Sequence, residues 1–322
     1  MFYWSVSLAF QMRQSYHISM NELEICEVGP RDGLQSEPRV WSAQERIDLI
    51  NQLSETGVAR IEAVSFVHPK RVPQMAEAET VMAGISRKDG ITYAGLALNA
   101  RGADRAIAAK VDEVRYVVVA SETFNQKNQG ASVDDTISGY DEIAGKVTNA
   151  GLQLTGVIGA AFGCPFEGDI DPEQVASLVK RLMDGGATEI ALADTIGAAV
   201  PTQITDMLGR VRDVLGAGVG LGLHLHNTRN TGFANAAAAA LAGVDFLDAS
   251  VGGIGGCPFA PRATGNIATE DLCYMLRNMG FDTGVDLSKM IGVSEWTETY
   301  FEAPLPGQIM KAGLFPEAAT GA

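Results

Sequence analysis

From residue 24 onward, short runs rich in β-branched and apolar residues alternate with longer stretches of helical periodicity. No other feature of the chain restricts its fold so strongly. The runs are EICEVG (24–29), ARIEAVSF (59–66), ITYAGLAL (91–98), EVRYVVVA (113–120), LQLTGVIGA (152–160), TEIALAD (188–194), VGLGLHLH (219–226) and VDFLDAS (244–250). Neighbouring parallel strands need a crossover of a dozen or more residues, usually a helix, so this spacing predicts a parallel sheet of βα units. The segment SAQERIDLINQLSETG illustrates one crossover: Ser42 is a suitable N-cap with Glu45 three residues on, and Gly57 is a suitable stop. Eight such pairs predict an α/β chain with a (β/α)8 TIM-barrel fold. The helical pattern LSKMIGVSEW and the break APLPG add extra C-terminal helices outside it. A doubly wound open sheet is disfavoured because no GxGxxG follows the first run. The glycine-rich stretch GGIGGCPFAPRATG follows the eighth instead, where a long loop would cover a barrel mouth.

No Pro/Ser-rich linker or charge block interrupts residues 24–282, so residues 20–322 are expected to form one barrel domain. Residues 1–19 lack matching patterning, and their apolar start, MFYWSVSLAF, is too short for a membrane span and has no flanking signal-peptide features. They are expected to be a disordered or upstream-extended leader. With 24 Lys and Arg against 39 Asp and Glu, the formal charge of −15 opposes phosphate backbones and anionic lipid surfaces, which argues against nucleic-acid and membrane partners. An anionic substrate would need local positive charge from a cation or a placed arginine. The four cysteines, Cys26, Cys164, Cys257 and Cys273, form no CxxC pair and are too scattered for a disulfide scaffold. A reducing, cytoplasmic setting is expected.

Three segments can carry chemistry. In HLHNT, His224 and His226 alternate along the seventh strand and so share one face, at the strand end where barrels place their active sites. They could bind one metal, or be two partly buried core histidines. In EVGPRDGLQSE, Arg31 and Asp32 leave the first strand through Gly29 and Pro30, either as an ordinary turn or as a cation and a metal-seeking carboxylate at the catalytic face. Glu62 and Asp194 lie within or end apolar strands, where acids are costly unless paired or metal-linked; ion pairing with arginine is the simpler alternative. In GGIGGCPFAPRATGNIATEDL, the glycines permit a loop that closes over a reaction, or only an irregular connection. There Asn266 could ligate a metal or cap the helix expected near Ala268, and Cys257 could be a proton donor or a structural thiol.

Together with IEAVSFVHPKRVPQM, AFGCPFEG and LADTIG, these segments in this order resemble the hydroxymethylglutaryl-CoA lyases, metal-dependent barrel enzymes of aldol and Claisen chemistry, from about Leu23 to Leu287. The resemblance implies Mg²⁺ or Mn²⁺ held by Asp32, His224, His226 and Asn266, with waters or substrate oxygens completing about six ligands. It implies an acyl-CoA thioester as substrate and cleavage of a 3-hydroxy-3-methylglutaryl-CoA-like thioester to acetyl-CoA and acetoacetate. The ion would engage the tertiary hydroxyl and distal carboxylate, Arg31 the developing enolate oxygen, and Cys257 would help protonate the enolate carbon. Asp32 or a water on the ion would take the hydroxyl proton. Glu62 and Asp194 would be hydrogen-bonded supports, and Glu270 would pin the glycine-rich loop closed. The family also suggests leucine degradation as the setting and is compatible with a homodimer.

This chain carries His68 and Arg71 where the family commonly has a serine and a tryptophan, and HNTRNTGFAN in place of HDTYGQALAN. Those changes leave the expected ligands intact but open the acyl group to alternatives such as citramalyl-CoA. A condensing synthase of the same barrel group is a further alternative, although such enzymes usually carry extra C-terminal domains. A non-catalytic barrel would have no need of Arg31 and Cys257, and a biotin-dependent carboxyltransferase would need a strand-borne lysine that is not apparent here.

Overall fold

The computed structural model describes residues 21–256 and 265–315. The expectations for residues 1–19 and for Cys257 lie outside the described residues. All eight expected runs are strands: β1 (Glu24–Glu27), β2 (Arg60–Ser65), β3 (Thr92–Leu96), β4 (Glu113–Val119), β5 (Gln153–Gly159), β6 (Glu189–Asp194), β7 (Gly220–Leu225) and β8 (Phe246–Ala249). They pair in parallel in chain order, and β8 closes onto β1 through Glu24–Phe246 to Glu27–Ala249. The fold is therefore a closed (β/α)8 barrel, not an open sheet. Outside it, Asn21–Glu22 pairs in parallel with Phe281–Asp282.

The helix α1 (Ala43–Ser54) begins at the expected capping box: Ser42 Oγ accepts from Glu45 N, and Ser42 N donates to Glu45 Oε2 at 2.8 Å. Leu49, Ile50 and Leu53 on its inner face join one buried core with Ile25 and Ile61 from the outward faces of β1 and β2. The same arrangement recurs around the ring, because alternation along each strand sends every second side chain to the helices. The C-terminal extension has the expected helix, Leu287–Glu298, which follows the barrel helices. Its Trp296 and the following Tyr300 pack against Trp41, just ahead of α1, with ring centroids 6.2 and 4.6 Å apart. Among the described residues no helix is long and apolar enough to cross a membrane.

The barrel interior is ionic where many barrels are filled with branched apolar residues. Arg60 reaches Glu24 at 2.7 Å, Glu113 at 3.1 Å and Glu189 at 3.0 Å, and the Arg60 and Arg115 guanidinium groups lie 5.0 and 5.8 Å from the Phe246 ring centroid. The Phe246 ring needs the space beside β7: a Cβ on Gly222 would lie 2.4 Å from it. Leaving one partner of a buried ion pair alone costs about 3–5 kcal/mol, so these charges are tolerable only as a mutually paired set.

Candidate metal centre and active site

Past β1 the chain makes one wide helical turn over Gly29–Gly33, opened by Pro30, which throws Arg31 and Asp32 across the barrel mouth. Glu27 fixes this turn. Its buried Oε1 accepts from Gly29 N at 2.7 Å and Val251 N at 2.9 Å, and its Oε2 from Thr269 Oγ1 at 2.6 Å, so one carboxyl ties the end of β1 to the chain leaving β8. Burial pushes Glu27 up to about 7 against the pull of those three donors.

The alternation of β7 brings His224 and His226 to one face, with their Nε2 atoms 3.1 Å apart. Asn266 arrives beside them because the chain returning from the glycine-rich loop bridges the end of β7: His226 pairs with Asn266, Asn227 N donates to Gly265 O and Ile267 N to Leu225 O. The loop can pass this close only as glycine at Gly255, whose φ is +107° and whose Cβ would stand 2.7 Å from Asn266 Nδ2. Asn266 Nδ2 donates to Asp32 Oδ2 at 2.9 Å and to Ile254 O at 3.1 Å. The helix beyond starts at Thr269 with Ala268 as its N-cap and no side-chain cap, so Asn266 is not a capping residue.

One ligand atom each from Asp32, His224 and His226 lies within 4.8 Å of the others. Cis ligands of an octahedral ion with bonds of about 2.1 Å are about 3.0 Å apart, which matches the separation of the two imidazole nitrogens. Asn266 Oδ1 is buried with no hydrogen-bond partner, and the set offers two imidazoles, a carboxylate and an amide oxygen. These residues fit a divalent cation. Burial would raise the Asp32 carboxyl, but Arg31, both imidazoles and the Asn266 amide outweigh it and hold it at about 2. His226 is depressed to about 4 by burial and by His224. Burial also depresses His224, but hydrogen bonding to Asp248 and the charge of Asp32 lift it above the usual imidazole range.

Arg31 is clamped from two sides, Nη1 to Asp32 Oδ1 at 2.8 Å and Nη2 to Glu62 Oε2 at 2.6 Å, which leaves its buried Nε without a partner. Glu62 thus pairs with arginine, the alternative to a metal-linked acid. Asp194 does otherwise: buried at the end of β6, it accepts from Ala198 N at 2.8 Å and Ala199 N at 3.0 Å and shapes the loop that follows. Glu270 is buried in the first turn of the helix after Ala268; its Oε2 accepts from Gly252 N at 3.0 Å and its Oε1 has no partner. Burial pushes it up to about 7.

A family model described as HMGL-like matches residues 22–296. The chain belongs to the HMGL-like family. It is 42% identical over 312 residues to the (R)-citramalyl-CoA lyase of Chloroflexus aurantiacus, covering 94% of this chain and 98% of that protein. It is also 42% identical over 288 residues to the hydroxymethylglutaryl-CoA lyase of Bacillus subtilis, covering 89% and 96%. A solved HMG-CoA lyase from Acinetobacter baumannii, in complex with coenzyme A and 3-methylmalate, superposes with a TM-score of 0.88 at 41% identity, over 92% of this chain and 97% of that one.

Sequence reasoning passed over two residues of this HMGL-like site, Asp248 and Arg115. Asp248 Oδ2 stands 3.2 Å from His224 Nδ1, and Arg115 grips both Asp248 oxygens at 2.9 and 3.0 Å. The signal was present: both are charged residues in otherwise apolar strands, the same feature that marked Glu62 and Asp194.

Proposed function

We propose that this protein is a divalent-metal-dependent carbon–carbon lyase that cleaves 3-hydroxy-3-methylglutaryl-CoA to acetyl-CoA and acetoacetate. The observation that carries the reading is the convergence of Asp32, His224 and His226 beside a clamped Arg31, in a chain about two-fifths identical to lyases of this reaction over most of its length. Asp32, His224, His226 and Asn266 would hold Mg²⁺ or Mn²⁺, which when bound supplies Lewis acidity toward the substrate's hydroxyl and carboxylate oxygens.

In the reaction the tertiary hydroxyl gives its proton to a water beside Asp32, the bond to the thioester α-carbon breaks, its electron pair goes into a thioester enolate, and the enolate carbon is then protonated. Arg31, with its guanidinium plane fixed by Asp32 and Glu62, keeps Nε as a donor for the enolate oxygen. Asp32, which burial would raise but Arg31 and the imidazoles hold at about 2, stays ionised near neutral pH, which suits a carboxylate ligand. Asp194 and Glu270 would order the loops after β6 and β8 that exclude water, and Cys257 would deliver the last proton.

A citramalyl-CoA lyase reading has its own support, since the match to the Chloroflexus enzyme extends over 94% of this chain. Incubation with Mg²⁺ or Mn²⁺ and each thioester separates the two: acetyl-CoA with acetoacetate from the first substrate supports the main reading, whereas acetyl-CoA with pyruvate from citramalyl-CoA alone replaces it. Cytoplasmic residence, a place in leucine degradation and a homodimer belong to the same proposal, and sedimentation velocity tests the dimer.

A further inference from the structure

We infer that Asp248, held by Arg115, is a positioning residue that fixes which nitrogen of His224 is presented to the metal. The inference rests on the reading that His224 is a ligand, and it adds two residues with no role in that reading. Asp248 sits on β8 and Arg115 on β4, across the barrel interior from each other, and both are buried. Arg115 Nη1 and Nη2 donate to Asp248 Oδ2 and Oδ1 at 2.9 and 3.0 Å, and Arg115 Nε donates to Glu113 Oε1 at 3.1 Å. A carboxylate gripped in this two-pronged way has only lone pairs to offer a third neighbour. His224 Nδ1, 3.2 Å from Asp248 Oδ2, must therefore carry the hydrogen, and in the neutral ring Nε2 is left bare toward His226 and Asp32.

The same guanidinium reaches the other half of the site. Arg115 Nη1 lies 3.8 Å from Glu62 Oε2, which holds Arg31 Nη2 at 2.6 Å. One buried cation thus braces the support of a metal ligand on one side and of the enolate-facing arginine on the other.

Asp248→Asn tests this with almost no change in volume. The amide has one oxygen, and the Arg115 donors attract it; the NH₂ group then faces His224 Nδ1, which must become an acceptor and move its hydrogen to Nε2. The measurement is Mn²⁺ affinity, read from loss of the free-ion EPR signal, on variants whose circular dichroism matches wild type. Asp248→Asn is expected to bind Mn²⁺ about 10–100-fold more weakly. Glu189→Gln, which disturbs the same interior ion array at Arg60 without touching a histidine, is expected to bind like wild type. Wild-type affinity in folded Asp248→Asn, or an equal loss in Glu189→Gln, overturns the role of Asp248. No binding by wild type overturns the metal site itself. Should Asp248→Asn fail to fold, ¹⁵N shifts of histidine-labelled wild type without metal decide: hydrogen on Nδ1 of the neutral His224 ring supports the inference, and hydrogen on Nε2 overturns it.

Discussion

At the scale of single residues, the site divides into side chains that would touch the reacting atoms and side chains that hold them. Arg31 is in the first group, and removal of a preorganised donor to a developing oxyanion usually costs about 10²–10³ in rate. Arg31→Ala should therefore lower kcat by about that factor in steady-state assays while Mn²⁺ still binds, since Arg31 is not a ligand; an unchanged kcat would remove it from the chemistry. His226→Ala should lose metal-dependent cleavage altogether, and retained full activity would contradict its assignment. Glu270 belongs to the second group and makes a pH prediction. Its folded-state value of about 7 lies above the ordinary 4.5, so between those values the folded protein holds more protons than the unfolded chain. Stability should thus be greatest below pH 4.5, as far as this group is concerned, and fall as pH rises toward 7, by up to ~3 kcal/mol. Glu27, also raised to about 7, acts in the same direction, whereas Asp32, lowered to about 2, gives stability that is lost only as pH falls below its ordinary 3.8. Glu270→Gln mimics the neutral form, so urea denaturation at pH 5 and pH 8 should differ less in the variant than in wild type.

At the scale of elements, all eight strands and the capped start of α1 were legible because each depends on local pattern: alternation, β-branched runs, a Ser42–Glu45 capping pair. Asp32, His224, His226 and Asn266 were legible as a set only through their order along the chain and its family resemblance. Arg115 and Asp248 were not read, because what makes them matter is a contact across the barrel between strands 133 residues apart. Nor does a sequence show that Asp194 would be met by backbone amides and Glu62 by an arginine, since both look alike as acids in apolar strands. Gly222 exposes the same dependence between elements. A methyl group there would meet the Phe246 ring at 2.4 Å, and Gly222 and Phe246 each precede a residue of the His224–Asp248 pair by two positions. Gly222→Ala should destabilise the fold by about 1–3 kcal/mol through overpacking. It should also weaken Mn²⁺ binding, because β7 and β8 must move apart. Calorimetry and Mn²⁺ titration check the two effects, and an isolated loss of stability would mean that the strands absorb the methyl without shifting the histidine.

At the scale of the whole molecule, the barrel gathers its proposed ligands from distant parts of the chain: Asp32 after β1, His224 and His226 at the end of β7, Asn266 after β8. Only the closed ring, in which β8 pairs with β1, makes the first and last of these neighbours. A metal bound there would cross-link both sides of that closure, and a ligand that binds the folded state alone stabilises it by mass action. At free Mn²⁺ about 100 times its dissociation constant the gain is ~2.7 kcal/mol, which in a domain of this size corresponds to a rise in melting temperature on the order of 5 °C. Chelator should reverse the rise in wild type, and His226→Ala should show neither the rise nor its reversal. An equal Mn²⁺-dependent shift in that variant would mean that the ion stabilises the protein elsewhere, on its acidic surface, and that the closure of the barrel mouth owes nothing to it.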